Sequence, residues 1–268
     1  MRASLTIALL VGIGAAIAAL RAPAYAGVAA AQLHRVEAAP TPGAALPVAL
    51  GFVDEAGDRL SLSDAIGGLP SVLIFVDYTC RTLCGPVLEF VAAGLASSGL
   101  RPGVDYRLLA IGLDPRDSLA AARAMHAEHI KDGNLIGRAA RFLSGDAAAI
   151  HAVTQAAGLH YAYDAEHDQY AHPAAVYILD AEGRVRRVLS PLGLDGADLR
   201  LAIVDAGRGA VGTLADRIHL LCYGYDPIKG IYTERITSML ALAAAMTALA
   251  LLGGISLMAM RERRSRPS

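Results

Sequence analysis

Tryptophan is absent from the chain, and aromatic residues of all kinds make up only 5% of it. The positive mean hydropathy therefore comes from Ala, Leu, Val and Ile, and much of it is concentrated at the two ends. An excess of one charge is also lacking: Lys and Arg number 24 against 25 Asp and Glu, for a formal net charge of −1. That balance argues against a nucleic-acid binder, and a hydrophobic fraction of 54% argues against a disordered chain. Three cysteines are too few to staple a small disulfide scaffold, so a pair and one extra thiol require a chemical account. No internal repeat marks a solenoid or a propeller.

What the chain does have begins at its ends. Arg2 precedes an uncharged apolar run from Ala3 to Leu20, followed by Arg21 and then Ala24-Tyr25-Ala26-Gly27. This is the layout of a signal peptide over residues 1–26, cut after Ala26; the competing reading is an uncleaved N-terminal anchor. At the other end Ile236 to Met260 carries no charge and is long enough to cross about 30 Å of hydrocarbon as one helix. Residues 261–268 form a basic tail, which the positive-inside rule keeps in the cytoplasm. Together these signals predict a single-pass protein of the bacterial cytoplasmic membrane, with its body in the periplasm and its C-terminus in the cytoplasm.

Between the ends, residues 27–47 are rich in Ala and Pro and read as a linker. Leu50 to Leu62 reads as a β-hairpin around an acidic Gly turn, and Ser71 to Val76 as a buried strand. A helix follows to about Ser97, then a strand over Tyr106 to Leu113 and a helix over Leu119 to His129. Arg141 to Leu143 is a weaker strand, and Asp146 caps a helix running to about Ala157. Tyr163 to Ala171 reads as a polar loop, Ala174 to Leu179 and Arg184 to Leu189 as a hairpin, and Asp195 or Gly196 as the start of a last helix. This order, with a cysteine pair after the first central strand, predicts an α/β thioredoxin-like domain over 48–208 with an N-terminal β-hairpin. Residues 209–235 form a juxtamembrane segment before the C-terminal transmembrane helix.

Cys80 and Cys84 lie where the buried strand gives way to helix, in Phe75-Val76-Asp77-Tyr78-Thr79-Cys80-Arg81-Thr82-Leu83-Cys84-Gly85-Pro86. Backbone N–H groups and the helix dipole at such a junction favour thiolate over thiol. If the two cysteines share the first helical turns, their i, i+4 spacing puts both sulfurs on one face. Such a pair can close a disulfide or hold a soft metal, and the spacing alone leaves both open.

Four segments resemble the Sco/SenC family of copper-binding thioredoxin-fold proteins that assist cytochrome c oxidase assembly. They are the strand followed by Cys80-x3-Cys84, Ile111-Gly112-Leu113-Asp114-Pro115-Arg116-Asp117, Phe142-Leu143-Ser144-Gly145, and His172 just before Val176 to Val185. The resemblance covers roughly residues 50–205. It implies that Cys80, Cys84 and His172 are the metal ligands, since soft thiolates and an imidazole suit Cu(I) in a trigonal site, with Cu(II) a further form. It also implies an acceptor: cytochrome c oxidase subunit II or another membrane cuproprotein. The chain departs from the family at three places. Arg81 follows Cys80 and Gly85 follows Cys84, where many members have proline. Pro173 follows His172, where ordinary thioredoxin folds carry a cis-proline beside the dithiol.

Those departures keep a second expectation in view, a thiol–disulfide oxidoreductase in which Cys80 and Cys84 form the redox-active pair and reduce the cysteines of partner proteins. A thiol peroxidase lacks its usual Thr/Ser-x-x-Cys setting, and a sensor lacks any output partner. Asp114 reads equally as a site residue and as ordinary turn chemistry. His160 and His167 read as solvated loop histidines, His126 and His129 as exposed on a helix, and Tyr161, Tyr163 and Tyr170 as loop packing. Cys222 lies in Cys222-Tyr223-Gly224-Tyr225-Asp226-Pro227, a segment similar to one in C-terminally anchored relatives. It reads as a small packed residue, with a resolving thiol or further copper ligand as the alternatives.

Overall fold

The computed structural model describes residues 36–207 except 42, 131–134 and 193, together with 223–226, 231–234 and 246–247. The signal segment, Cys222, the basic tail and the 236–260 span apart from Met246 and Thr247 lie outside the described residues. Among the described residues no helix is long and apolar enough to cross a membrane.

The strands are β1 (Glu37–Ala38), β2 (Gly51–Asp54), β3 (Arg59–Ser61), β4 (Ser71–Val76), β5 (Arg107–Gly112), β6 (Ala140–Ser144), β7 (Leu159–His160), β8 (Ala162–Asp164), β9 (Gln169–Ala171), β10 (Val176–Leu179), β11 (Val185–Leu189), β12 (Tyr223–Asp226) and β13 (Ile231–Glu234). The helices are α1 (Leu62–Ile66), α2 (Cys84–Ser97), α3 (Leu119–His129), α4 (Leu135–Ala139), α5 (Ala147–Ala156) and α6 (Gly196–Ala206). Seven strands form one mixed sheet in the order β11-β10-β4-β5-β6-β2-β3. β4, β5 and β6 run parallel, while β10 and β2 lie antiparallel against their two outer edges. This is the thioredoxin-like α/β arrangement expected from the order of the sequence segments.

Side chains along β4 and β5 alternate between two apolar layers, as the two-residue strand period requires. Val72, Ile74 and Val76 meet Leu88, Val91 and Leu95 of α2, with α3 and α6 on the same face. Leu73, Phe75, Leu109 and Ile111 meet α1 and α5 on the other. Burial on both faces explains why Ser-Val-Leu-Ile-Phe-Val reads as an unbroken apolar run rather than an alternating one.

Most helices start on a side-chain cap. Ser61 and Asp64 form a reciprocal capping box on α1, and Ser118, Asp146 and Asp195 cap α3, α5 and α6. α2 is different: Leu83 occupies its N-cap position and offers no side-chain acceptor. Its first N–H groups point toward the cysteine turn.

Three parts of the chain differ from expectation. The segment read as a linker is docked from residue 36 onward, since β1 pairs with β7 and Ala45 bridges to Arg184. α1 follows the first hairpin directly, because the Ser61 cap turns Leu62, Ala65 and Ile66 into the core. Residues 163–171 contain the β8–β9 hairpin, with Tyr163 opposite Tyr170, rather than a structureless loop. The tyrosines at alternate positions pack against one another there.

Gly112 marks the end of β5, and the Tyr78 ring lies across it, where a Cβ would fall 2.6 Å from a ring carbon. The Tyr78 hydroxyl donates to the carbonyls of Leu143 and Ala110, so the buried ring has little room to yield. Gly112→Ala is expected to cost about 1–3 kcal/mol, read as a lower urea midpoint at unchanged m-value. An unchanged midpoint would show that the ring shifts freely.

Candidate functional site

The site is assembled where β4 and β5 end at the same level, Val76 opposite Gly112. After Val76 the chain turns at Asp77, whose Oδ1 accepts the Thr79 N–H at 3.0 Å and the Thr79 hydroxyl at 2.9 Å. The Cys80 N–H donates to the Asp77 carbonyl, and the Tyr78 N–H donates to the Asp117 carboxylate from the turn after β5. Cys80 therefore sits in a turn ahead of α2, and only Cys84 belongs to the helix. The condition under which i, i+4 spacing would put both sulfurs on one helical face is therefore not met, since the helix begins only after its Leu83 cap.

Both thiols are free. Cys84 is buried at 4% exposure, while Cys80 is half-buried at the mouth of the site. A hydrogen bond from Cys84 is the main reason the Cys80 thiol is held well below the ordinary thiol range; Thr82, with its hydroxyl 3.4 Å from Sγ, adds to it. Cys84 moves the other way, its proton retained by the bond to Cys80 and by burial. The pair thus divides into an accessible thiolate and a buried thiol.

His172 follows β9 and approaches from across the sheet, because β10 runs antiparallel to β4 with Val176 opposite Ile74. Its Nε2 lies 3.5 Å from Cys84 Sγ. Its Nδ1 lies 3.1 Å from the Pro173 carbonyl, which can only accept, so Nδ1 carries the proton and Nε2 is an acceptor that competes with Cys80 for the one Cys84 proton. Desolvation holds the imidazole below its ordinary pKa and favours the neutral ring. Among the described residues no peptide bond is cis, so Pro173 does not reproduce the cis-proline of ordinary thioredoxin folds.

A cleft of about 280 Å³ opens beside these three residues, with Val76, Leu83, Val87, Tyr170 and Ala175 in its wall. As they stand, no three His, Cys, Asp or Glu side chains among the described residues are gathered into a metal-ligand set. The Cys84–His172 contact and the Cys80–Cys84 hydrogen bond are nevertheless both present. Two soft sulfurs and a lone-pair nitrogen are the donor chemistry of a Cu(I) site.

The other candidates separate clearly. Asp114 is tied to Arg116, which also reaches Asp168 in the β8–β9 turn, so its carboxylate is engaged in anchoring a loop. His167 is exposed and pairs with Asp164, and His160 is exposed on β7. His126 is not on an exposed face: it is buried, stacked 4.5 Å from Phe142 and 3.2 Å from a Glu55 oxygen. His129 pairs with Glu89 and covers Gly85. The sequence reading missed Asp77 and Asp117. An acidic residue directly after the apolar run Val72–Val76 was the available signal for Asp77.

The SCO1/SenC family model matches residues 40–201. Similar solved structures include a protein of Aquifex aeolicus VF5, at 19% identity and TM-score 0.56 over 63% of this chain and 95% of that one. A SCO1/SenC family lipoprotein from Bacillus anthracis aligns at 20% identity and TM-score 0.51, covering 64% of this chain and 99% of its own. Yeast Sco1 with copper bound aligns at 17% identity and TM-score 0.50, covering 65% and 94%. No curated protein sequence matches the chain.

Two measurements follow from this electrostatic layout. Iodoacetamide is expected to label Cys80 before Cys84, and Cys84→Ser to slow Cys80 labelling at mildly acidic pH, where only a depressed pKa keeps the thiolate. Equal labelling of the two thiols would contradict the division. Burial and the neighbouring Asp77 carboxylate raise Asp117 from 3.8 to about 6. Folded Asp117 then holds a proton that the unfolded chain has lost between those values, so stability falls as pH rises through that window and levels off above it. Asp117→Asn still offers an oxygen to the Tyr78 N–H, and its urea midpoint should match the parent below the window and exceed it above. A gap that does not change with pH would show that Asp117 does not titrate there.

Proposed function

Because the chain belongs to the SCO1/SenC family, we propose that it is a copper chaperone that takes Cu(I) on Cys80, Cys84 and His172. The observation that carries this reading is the meeting of Cys84 Sγ and His172 Nε2 across 88 residues of sequence, with the free Cys80 thiol in hydrogen-bond contact with Cys84. A structural disulfide needs no imidazole, and a packed histidine needs no lone pair aimed at a thiol. The copper-bound state of yeast Sco1, a protein of similar fold, supports the choice of metal.

Binding replaces thiol protons with the metal. Cys84 must lose its proton, whereas Cys80 is already poised as thiolate and His172 already presents Nε2. Affinity therefore falls as pH drops and protons compete for the sulfurs. Cys80, at the mouth of the site, is the first sulfur that an incoming acceptor thiolate meets, so transfer proceeds by ligand exchange from that side. The acceptor is a copper site of cytochrome c oxidase, by family resemblance the one in subunit II. The domain works in the periplasm, tethered to the cytoplasmic membrane by residues 236–260, which raises its effective concentration near a membrane-bound acceptor.

A second reading is favoured by the division between the two thiols. In a thiol–disulfide exchange the Cys80 thiolate attacks an acceptor disulfide and releases one acceptor thiolate. Cys84 then loses its proton, for which His172 Nε2 is the adjacent base, and attacks Cys80 Sγ. The second acceptor thiolate leaves and a Cys80–Cys84 disulfide remains. The acceptor is reduced by two electrons and the chaperone pair is oxidised by two.

Titration of the reduced, copper-free chain with Cu(I) against a chromophoric chelator tests the first reading. Cys80→Ser, Cys84→Ser and His172→Ala should each weaken affinity by about tenfold or more, and the parent should bind less tightly as pH is lowered. Unchanged affinity in His172→Ala would remove the histidine from the ligand set. If that variant instead slowed the reduction of an oxidised acceptor, the redox reading would be preferred, since His172 Nε2 is the base beside Cys84.

A further inference from the structure

Asp77 has an acidic side chain at 1% exposure, placed directly after a fully buried six-residue strand, where an apolar residue would need no buried polar partners. Its two oxygens serve different parts of the chain. Oδ1 holds the cysteine turn through the Thr79 N–H and hydroxyl. Oδ2 accepts the Tyr170 N–H at 2.9 Å, a bond that spans 93 residues and ends two positions before His172. One side chain thus joins the segment bearing the thiols to the segment bearing the imidazole.

A parallel tie exists between the same regions. Arg116 links Asp114 to Asp168 in the β8–β9 turn, but Arg116 and Asp168 are both largely exposed. Solvent screens that pair, and pairs of its kind contribute little. The Asp77 bonds are part-buried and start from a side chain at 1% exposure, so water competes for them less than for the exposed Arg116–Asp168 pair.

We propose that Asp77 is a positioning residue that sets the approach of His172 to the cysteine pair by bonding both segments at once. The inference rests on the reading of Cys80, Cys84 and His172 as Cu(I) ligands and adds the residue that holds them together. Asparagine at this position has one acceptor oxygen and cannot serve both segments. Its amide should keep the local turn and present its NH₂ to the Tyr170 N–H, releasing the histidine side. The effect passes through His172 and so depends on His172 being there.

The test is a double-mutant cycle on the full-length chain with Asp77→Asn, His172→Ala and the combined variant, measuring Cu(I) affinity together with hydrogen exchange of the Tyr170 amide in the copper-free protein. Asp77→Asn is expected to weaken affinity by about 10–100-fold and to speed exchange at Tyr170 while leaving the β4 and β5 amides protected. In the His172→Ala background the same substitution should have no further effect on affinity. Equal losses in both backgrounds, or unchanged affinity in Asp77→Asn, would overturn the positioning role. Loss of the fold would overturn it too, since the carboxylate would then be a requirement of the fold rather than of the site. If His172→Ala by itself leaves affinity unchanged, the ligand reading fails independently of Asp77.

Discussion

The parallel pairing of β4 with β5 is the constraint from which the site follows. Six consecutive residue pairs hold the two strands in register, and every β4 side chain is buried. Strands so tightly placed must release their chains at one level, with Val76 beside Gly112. The cysteine turn and the Asp114–Asp117 turn are then neighbours whether or not their side chains attract. Gly112 lets the Tyr78 ring cross that junction, and its hydroxyl fastens the turn to β5 and β6. The antiparallel strand β10 adds the third component, since its direction brings the chain before Val176 back to the same edge.

The chemistry of the site comes from unequal burial of like groups. Cys80 and Cys84 have the same side chain, but one faces the cleft mouth and the other the core, so a single shared proton settles on Cys84. Among the carboxylates, burial and the neighbouring Asp77 push Asp117 up to about 6. His172 is kept neutral by desolvation and oriented by a backbone carbonyl rather than by a carboxylate. A soft, uncharged or singly charged donor set is therefore presented to the cleft. That suits the capture and release of a monovalent soft ion, and the same asymmetry suits nucleophilic attack on a disulfide.

Much of this was legible along the chain. α3 runs from Leu119 to His129, as its Ser118 cap and Ala-rich composition indicate, and α6 from Gly196 to Ala206 behind its Asp195 cap. The β10–β11 hairpin follows from Asp180-Ala181-Glu182-Gly183, where Gly183 takes positive φ. The misses share a cause. The role of β1 depends on a partner more than a hundred residues away, α1 is one short turn secured by a capping box, and β8–β9 is a polar hairpin without strong alternation. His126 was misplaced because an Ala-rich helix has no sharp apolar stripe, so only the packing of Phe142 and Glu55 reveals its inner face.

The sequence by itself determined the order of the central strands and longer helices, the cysteine pair at a strand–helix junction, the histidine before a late strand and the resemblance that joins them. These are local or motif properties, written in the spacing of neighbouring residues. Tertiary structure alone decided that Cys80 stands outside the helix, that its thiol and not that of Cys84 is the acidic one, and that His172 meets Cys84 with Nε2. It also decided that Asp77 bonds both sides of the site. Each of those facts depends on burial and on distances between residues remote in sequence, which no local pattern encodes.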